Sequence, residues 1–377
     1  MPIDYETDLL KHFVRMDGWL PACKRRFEQI HSGGKSRRLK YFTFCAVGAV
    51  DVLMLDIEGI IRRSNDDRFD TVVYFDHDEE AVFETEKRIP GAIGFSGNFI
   101  EVVGGAGDED FEPDGVSLLQ APVDRPDEES TRKDQRLREQ RRLFAEYFPF
   151  DVINLDLEGF LFTPREQLPG KVINSFRQLM AWQCQALDRK RGKSQPLAAF
   201  SLMFTTQIGP PNIPGEFQEM LSMTLKENIS QDPSLCGPLR QRAGTDDVTT
   251  IMRTDFGLFF KLAIPKVLAA TIHEYDWYVD PEWGIRTYQF QRESKDGPYQ
   301  MLHLVMDVKR RDPPRRRRGP QPPGSVDPGI GAYRSVVRSL FETRETIVTH
   351  ENIDAAGLSR SLERIRSRRK KYYADDD

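Results

Sequence analysis

The stretch FDVINLDLEG, Phe150 to Gly159, follows Pro149 and closes on a glycine, and its apolar residues alternate or run together without any helical period. A short apolar run of this kind, bounded by turn signals, reads as a strand buried on both faces of a sheet. A near copy, DVLMLDIEGII, occupies Asp51–Ile61. There Val50, Leu53, Ile57, Ile60 and Ile61 fall at helical spacing, so the first copy is expected to be a helix packed on the sheet, despite Gly59 near its end. One phrase is therefore predicted to serve two structures, and internal duplication is not the preferred explanation.

Working outward, RLKYFTFCAVGA gives a β-rich apolar run ending at a glycine, and Tyr41–Ala46 is taken as the first strand. TVVYF, closed by Asp76, is a second strand, and EEAVFETEKRI a helix. AIGFSGNFIEVV supplies a third strand with its turn. RKDQRLREQRRLFAEYF and VINSFRQLMAWQCQALDRKR read as helices on either side of the FDVINLDL strand, and PLAAFSLMFTT as another buried strand. FGLFFKLAIPKVLAATIHEY reads as a mostly apolar helix containing Pro265. GIRTYQFQRES and YQMLHLVMDVKR flank Lys295-Asp296-Gly297-Pro298 and read as a hairpin. Strands alternating with helices predict an α/β fold, doubly wound around a mostly parallel sheet, with the terminal hairpin antiparallel.

The expected organisation is a helical N-terminal region (1–38, its helix at about 4–31), an α/β domain (39–310) carrying an acidic, mobile surface insertion (104–130), a Pro/Arg-rich linker (311–332) and a C-terminal basic helix (333–377, centred on Tyr333–Arg369). The 377 residues are 39% hydrophobic, ample for a sizeable core. No window is read as approaching the roughly 18 apolar residues of a membrane span, and Asp4, Glu6 and Asp8 are unlike a signal peptide's basic start, so no membrane role and a cytosolic protein are expected. Cys23, Cys45, Cys184 and Cys236 are scattered, which argues against a zinc site or disulfide framework and for reduced, mostly buried thiols. The six histidines form no triad or H-E-x-x-H pattern; only His77, beside Asp76, stands near a candidate site, and a surface position is expected for it.

The net charge of −5 conceals basic segments, among them Lys309–Arg318 and Arg360–Lys371. These carry enough charge to neutralise phosphates, and Tyr372 and Tyr373 could stack on unpaired bases. A solvated face, a linker or a protein-docking segment explains the same charge runs.

The order of these elements resembles the Rossmann-fold S-adenosylmethionine-dependent methyltransferases. FTFCAVGA resembles that family's strand-and-glycine loop, VVYFDHD the acidic end of its second strand, GNF the turn after its third, and FDVINLDLEG its fourth-strand motif, in a form closest to tRNA guanine-N2 methyltransferases. The resemblance spans about Leu39–Arg310. It implies that S-adenosylmethionine is the cofactor, that Ala46, Gly48, Asp76, Asn98 and Phe99 hold it, and that Asp156 and Glu158 face the acceptor, a nucleic acid.

Each position also has an ordinary reading. Gly48, which stands without the further glycines of the usual loop, could make a purely structural turn. Asp76 could accept ribose hydroxyls, or cap the next helix with Glu79 completing a capping box. Asn98 and Phe99 could contact an adenine, or form a turn and a core aromatic. Leu157-Glu158 replaces the family's Pro-Phe, and a catalytically inactive methyltransferase-like subunit that binds nucleic acid or a protein is the alternative function. A nicotinamide oxidoreductase is disfavoured because no G-x-G-x-x-G follows the first strand. Asp56 and Glu58 of the first copy are expected to be solvent-facing helix acids without chemistry.

Overall fold

A computed structural model describes residues 8–32, 37–104, 128–157, 171–189, 199–208, 215–275, 277–279, 284–290, 299–310 and 345–371. Its centre is one nine-stranded sheet. Strands β1 (Tyr41–Phe44), β2 (Val72–Asp76), β3 (Ile93–Ser96), β4 (Val152–Asp156) and β5 (Ala199–Ile208) run parallel in the order β3-β2-β1-β4-β5. Strand β8 (Tyr299–Arg310) continues the sheet antiparallel to β5 and carries both β6 (Trp277–Val279) and β7 (Gly284–Phe290), again antiparallel. The expected mixed α/β fold with a mostly parallel sheet and an antiparallel hairpin is present; the hairpin's turn signal lies outside the described residues.

The two copies of the shared phrase separate as their periodicity dictates: Val50–Ile57 is helix α3 and Val152–Asp156 is the central strand β4. Every strand position of β4 except its terminal Asp156 is buried. On one face the sheet packs phenylalanines: Phe42, Phe75, Phe95, Phe144 and Phe150 belong to one apolar cluster, with Phe75 and Phe95 stacked at 5.2 Å between ring centres. Helix α4 (Glu79–Arg88) follows β2, and α6 (Glu128–Glu146) and α7 (Lys171–Arg189) flank β4 in sequence, near their expected places.

Several expectations need correction. FIEVV, read with the third strand, is instead a short helix, α5 (Phe99–Gly104). Gly97 turns the chain with φ +116°, and Asn98 then accepts the backbone N–H of Ile100 at 2.9 Å, which starts a helix. Residues 215–254, given no element from sequence, form α8 (Gly215–Gln231), α9 (Cys236–Ala243) and α10 (Val248–Thr254). The expected C-terminal helix is broken. Glu345–Val348, carrying the β-branched run Thr346-Ile347-Val348, is strand β9, parallel to β7 at the sheet edge, and the helix proper, α12, starts only at Ala355. Most of the 104–130 insertion and the 311–332 linker lie outside the described residues.

Helix α11 (Phe256–His273) also corrects the reading that no segment approaches a membrane span. By length and composition it could cross a bilayer, with hydropathy 1.4 over its 18 residues, yet 72% of that window is buried inside the protein. Nor are the terminal segments appendages. Helices α1 (Leu9–Val14) and α2 (Leu20–Ser32), joined by a π-helical turn at Arg15–Trp19, bury Leu10, Val14, Trp19 and Cys23 in the same cluster as Leu53 of α3 and Leu362 and Ile365 of α12.

Asp56, expected to face solvent, has a side chain only 7% exposed and pairs with Arg63 at 2.6 Å and Arg368 at 3.2 Å. It tethers α12 to α3 because a nearly buried carboxylate needs cationic partners. Glu58 fits the expectation, exposed and 4.0 Å from Arg364.

Candidate functional site

In the order β3-β2-β1-β4-β5 the chain leaves β1 toward β2 on one side and reaches β4 on the other, and open α/β sheets bind ligands outside the strand ends at such a switch point. A cleft of about 480 Å³ lies there. That is within the roughly 300–1,000 Å³ of small-molecule sites. Phe44, Cys45 and Ala46 after β1, Asp76 ending β2, Gly97, Asn98 and Phe99 after β3, and Asp156 and Leu157 ending β4 all line it.

Five residues singled out from sequence, Ala46, Asp76, Asn98, Phe99 and Asp156, therefore meet in one cavity. Gly48 does not line it. It is buried in a turn closed by the Ala49 N–H on the Ala46 carbonyl at 2.8 Å, and the left-handed residue there is Ala49, φ 48°, at a cost on the order of 1–2 kcal/mol. The backbone freedom expected of Gly48 is thus demanded one residue later. Glu158 lies outside the described residues.

Asp76 does not cap α4. Asp78 does, accepting from the Glu80 N–H at 2.9 Å, while Asp76 Oδ1 accepts from the Asp78 N–H at 3.1 Å. Burial pushes the Asp76 carboxyl above the usual carboxylate range, opposed by the Asp78 amide. His77 lies at the cleft's rim, 91% exposed, with Nδ1 3.1 Å from Asp76, as expected of a surface residue. Asn98 and Phe99 take their reading as a turn and a core aromatic, and both line the cleft: the Asn98 carbonyl oxygen caps α5, and Phe99 packs against Phe44 at 4.8 Å between ring centres.

Sequence reasoning missed the roof of the site. The N-terminal segment brings Lys11, Arg15 and Trp19 over the strand ends. Asp8 caps α1 by accepting from the Leu10 and Lys11 N–H groups, and Lys11 Nζ reaches Asp156 Oδ2 at 2.8 Å, both side chains under 10% exposed. The segment is fixed from behind: Asp17 accepts from Arg286 Nε at 2.6 Å, and Trp19 Nε1 donates to His303 Nδ1 at 3.3 Å. Gly18 permits this approach, since a Cβ there would lie 3.0 Å from His303 Nε2. No short motif announces these contacts, which span almost 300 residues.

Asp51, in the first turn of α3, was also missed. It lines the cleft and is held by the Tyr41 hydroxyl at 3.0 Å and the Thr43 hydroxyl at 2.7 Å. Its signal, an acid opening the helix after the first strand, was present in sequence.

His12 sits beneath the roof, fully buried, with neither ring nitrogen hydrogen-bonded among the described residues. Burial, assisted by the Arg15 charge, lowers its pKa to about 4. An unfolded histidine titrates near 6.5. The unfolded chain therefore binds the proton first, and the stability present above pH 6.5 is lost as pH falls toward 4. His12→Leu should leave stability at pH 7 unchanged or higher and remove on the order of 1–2 kcal/mol of the decline between pH 7 and pH 5. Urea midpoints at the two pH values test this; a mutant profile as steep as wild type would refute it.

No metal-ligating group of three or more His, Cys, Asp or Glu occurs among the described residues, and the four cysteines are free, three of them buried. No protein-family model matches the chain, and no curated protein matches it at a significant level.

Proposed function

We propose that the cleft binds S-adenosylmethionine and that the protein is a methyltransferase of the Rossmann-fold class acting on a nucleic acid. The observation that carries this reading is the convergence of Ala46, Asp76, Asn98, Phe99 and Asp156 on one cavity at the switch point. The strand order and the antiparallel β7–β8 hairpin that follows β5 in the sheet support it. In this reading Asp76 accepts the ribose hydroxyls, Asn98 and Phe99 meet the adenine, and Phe44 and Phe75 supply apolar wall.

The charge of the cleft opposes a dinucleotide. The N-terminus of α3, where such cofactors place a pyrophosphate, already carries the buried carboxylate of Asp51. A second phosphate-sized anion there would meet like charge.

Methyl transfer demands positioning more than acid–base power. S-adenosylmethionine, held by Asp76, Asn98 and Phe99, would supply an electrophilic methyl group to the acceptor's lone pair, its sulfur leaving as a neutral thioether and the acceptor's proton passing to water. Asp156 suits the orienting role. Lys11 holds its Oδ2, and its buried Oδ1, without a partner among the described residues, is free to accept a hydrogen bond from an acceptor amine. The same Lys11 contact favours a second reading, a non-catalytic subunit in which Lys11 neutralises this carboxylate as a structural ion pair.

Calorimetric titration with S-adenosylhomocysteine tests the cofactor assignment: micromolar binding is expected, and none at millimolar ligand overturns it. Labelled-methyl transfer to total nucleic acid then separates the readings, because binding without transfer selects the subunit.

For the nucleic-acid surface, Lys309 and Arg310 prove to be the end of β8, and Arg311–Arg318 lies outside the described residues. Helix α12 shows Arg360, Arg364 and Arg366 exposed opposite a buried face of Leu358, Leu362 and Ile365. Truncating this helix would cut into the core, so charge removal is the cleaner test. Arg360→Gln/Arg364→Gln/Arg366→Gln is expected to weaken nucleic-acid binding several-fold and reduce the slope of log affinity against log salt by about 2–3. An unchanged slope removes this surface from the proposal.

A further inference from the structure

Arg15 is 95% buried by its 5% exposure, lines the cleft, and has no hydrogen-bond partner for Nε or Nη1 among the described residues. Its one neighbour of note is Trp19, whose ring centre lies 5.7 Å from the guanidinium carbon. A guanidinium cannot shed its charge near neutral pH, and stripping it of water without an acceptor is costly. Elsewhere in this protein buried cations are met: Arg63 by Asp56 and Lys261 by Glu345. Among the described residues Arg15 is the exception, and it lines an open cleft.

The other charges around the cleft define what would satisfy it. Lys11 is paired with Asp156, Asp51 is held by hydroxyls, and Asp76 and Asp78 also line the cleft. Acids thus outnumber bases along the wall, while a single planar fork of donors is left over at the roof. That pattern suits a ligand that is cationic or neutral along most of its length and ends in one anionic group, rather than a polyanion.

We infer that Arg15 recognises a carboxylate at the amino-acid end of the cleft's ligand, so that the N-terminal segment closes the site as a binding element. This rests on the cofactor reading above and adds to it a specificity residue outside the α/β core. The ligand would lie between the strand ends and a segment fixed to β7 and β8 by Asp17 and Trp19.

The test compares the wild-type protein with Arg15→Met, which keeps the apolar stem, and Arg15→Lys. Each is titrated with S-adenosylhomocysteine, with methylthioadenosine, which lacks the amino-acid end, and with adenosine monophosphate. Wild type should bind S-adenosylhomocysteine about tenfold more tightly than methylthioadenosine, a preference of the size expected for one charge-assisted contact. Arg15→Met should abolish that preference while leaving methylthioadenosine affinity unchanged, and Arg15→Lys should restore part of it. Equal loss of both ligands, or no preference in wild type, overturns the inference. A preference for the monophosphate that depends on Arg15 overturns the carboxylate assignment in favour of a phosphate.

If no nucleoside binds, the cofactor reading fails separately. Melting curves in acetate against chloride at matched ionic strength then decide for Arg15 alone. Stabilisation by acetate that is lost in Arg15→Met retains the anion site, and identical curves remove it. Because Nε and Nη1 have no hydrogen-bond partner to lose among the described residues and methionine can keep the apolar contact with Trp19, Arg15→Met is expected to fold with unchanged or raised stability.

Discussion

Asp151→Ala is expected to destabilise the protein by about 3 kcal/mol, measured as a fall in urea midpoint with an unchanged slope. Asp151 opens the β4 phrase and its side chain is only 6% exposed. It accepts two hydrogen bonds from Arg37 at 2.5 Å and the Lys40 N–H at 3.0 Å, and lies 3.7 Å from Arg26. Arg26 is itself nearly buried, and burial lowers its pKa while Asp151 opposes the fall. Removing the carboxylate takes away the nearest counter-charge of that cation, which keeps the Gln29 and Ala199 oxygens and the more remote Asp307; breaking a buried pair outright costs about 3–5 kcal/mol. The low end applies because Arg37 remains half exposed and can be hydrated. The effect ties the N-terminal helix α2 to the central strand. A loss under 1 kcal/mol would show that hydration or rearrangement of Arg26 replaces the carboxylate, and that α2 is held by apolar packing alone.

For the cleft, Asp76→Ala should lower S-adenosylhomocysteine affinity about 30-fold while leaving the melting temperature within a degree or two of wild type. The magnitude follows from losing hydrogen bonds to a charged acceptor, about 1.5–3 kcal/mol, at 1.4 kcal/mol for each factor of ten. Stability should be spared, because Asp76 Oδ1 engages only the Asp78 amide and the exposed His77, and α4 keeps its cap in Asp78. A 2′-deoxy analogue should lose affinity for wild type and little more for the mutant. Unchanged affinity of Asp76→Ala would displace the ribose from this strand end.

The four aspartates of the repeated phrase show how far residue type alone can lead. Asp51, Asp56, Asp151 and Asp156 occupy equivalent words, and every one of them is buried or nearly so, yet each has a different partner: hydroxyls, an arginine pair, the Arg26–Arg37 cluster, and Lys11. Their chemistry follows from which helix or strand end they terminate. Reading Asp56 as solvent-facing failed because its partner Arg368 is 312 residues away. Reading the 345–348 segment as helix failed for a related reason: the edge of β7 was available to pair with it, and tertiary pairing outweighs weak local preference.

Local periodicity by itself determined the helix at Val50–Ile57, the strand at Val152–Asp156, the parallel β-α order and the acids that end β2 and β4, because apolar spacing and strand-end glycines act over a few residues. Only the tertiary structure decided that the two chain ends join the core, that Gly48 turns away from the cleft, and that Lys11, Arg15 and Trp19 roof it. Those outcomes depend on contacts between residues far apart in sequence, where the burial of charge and apolar surface is settled by the whole fold and leaves no local spacing to read.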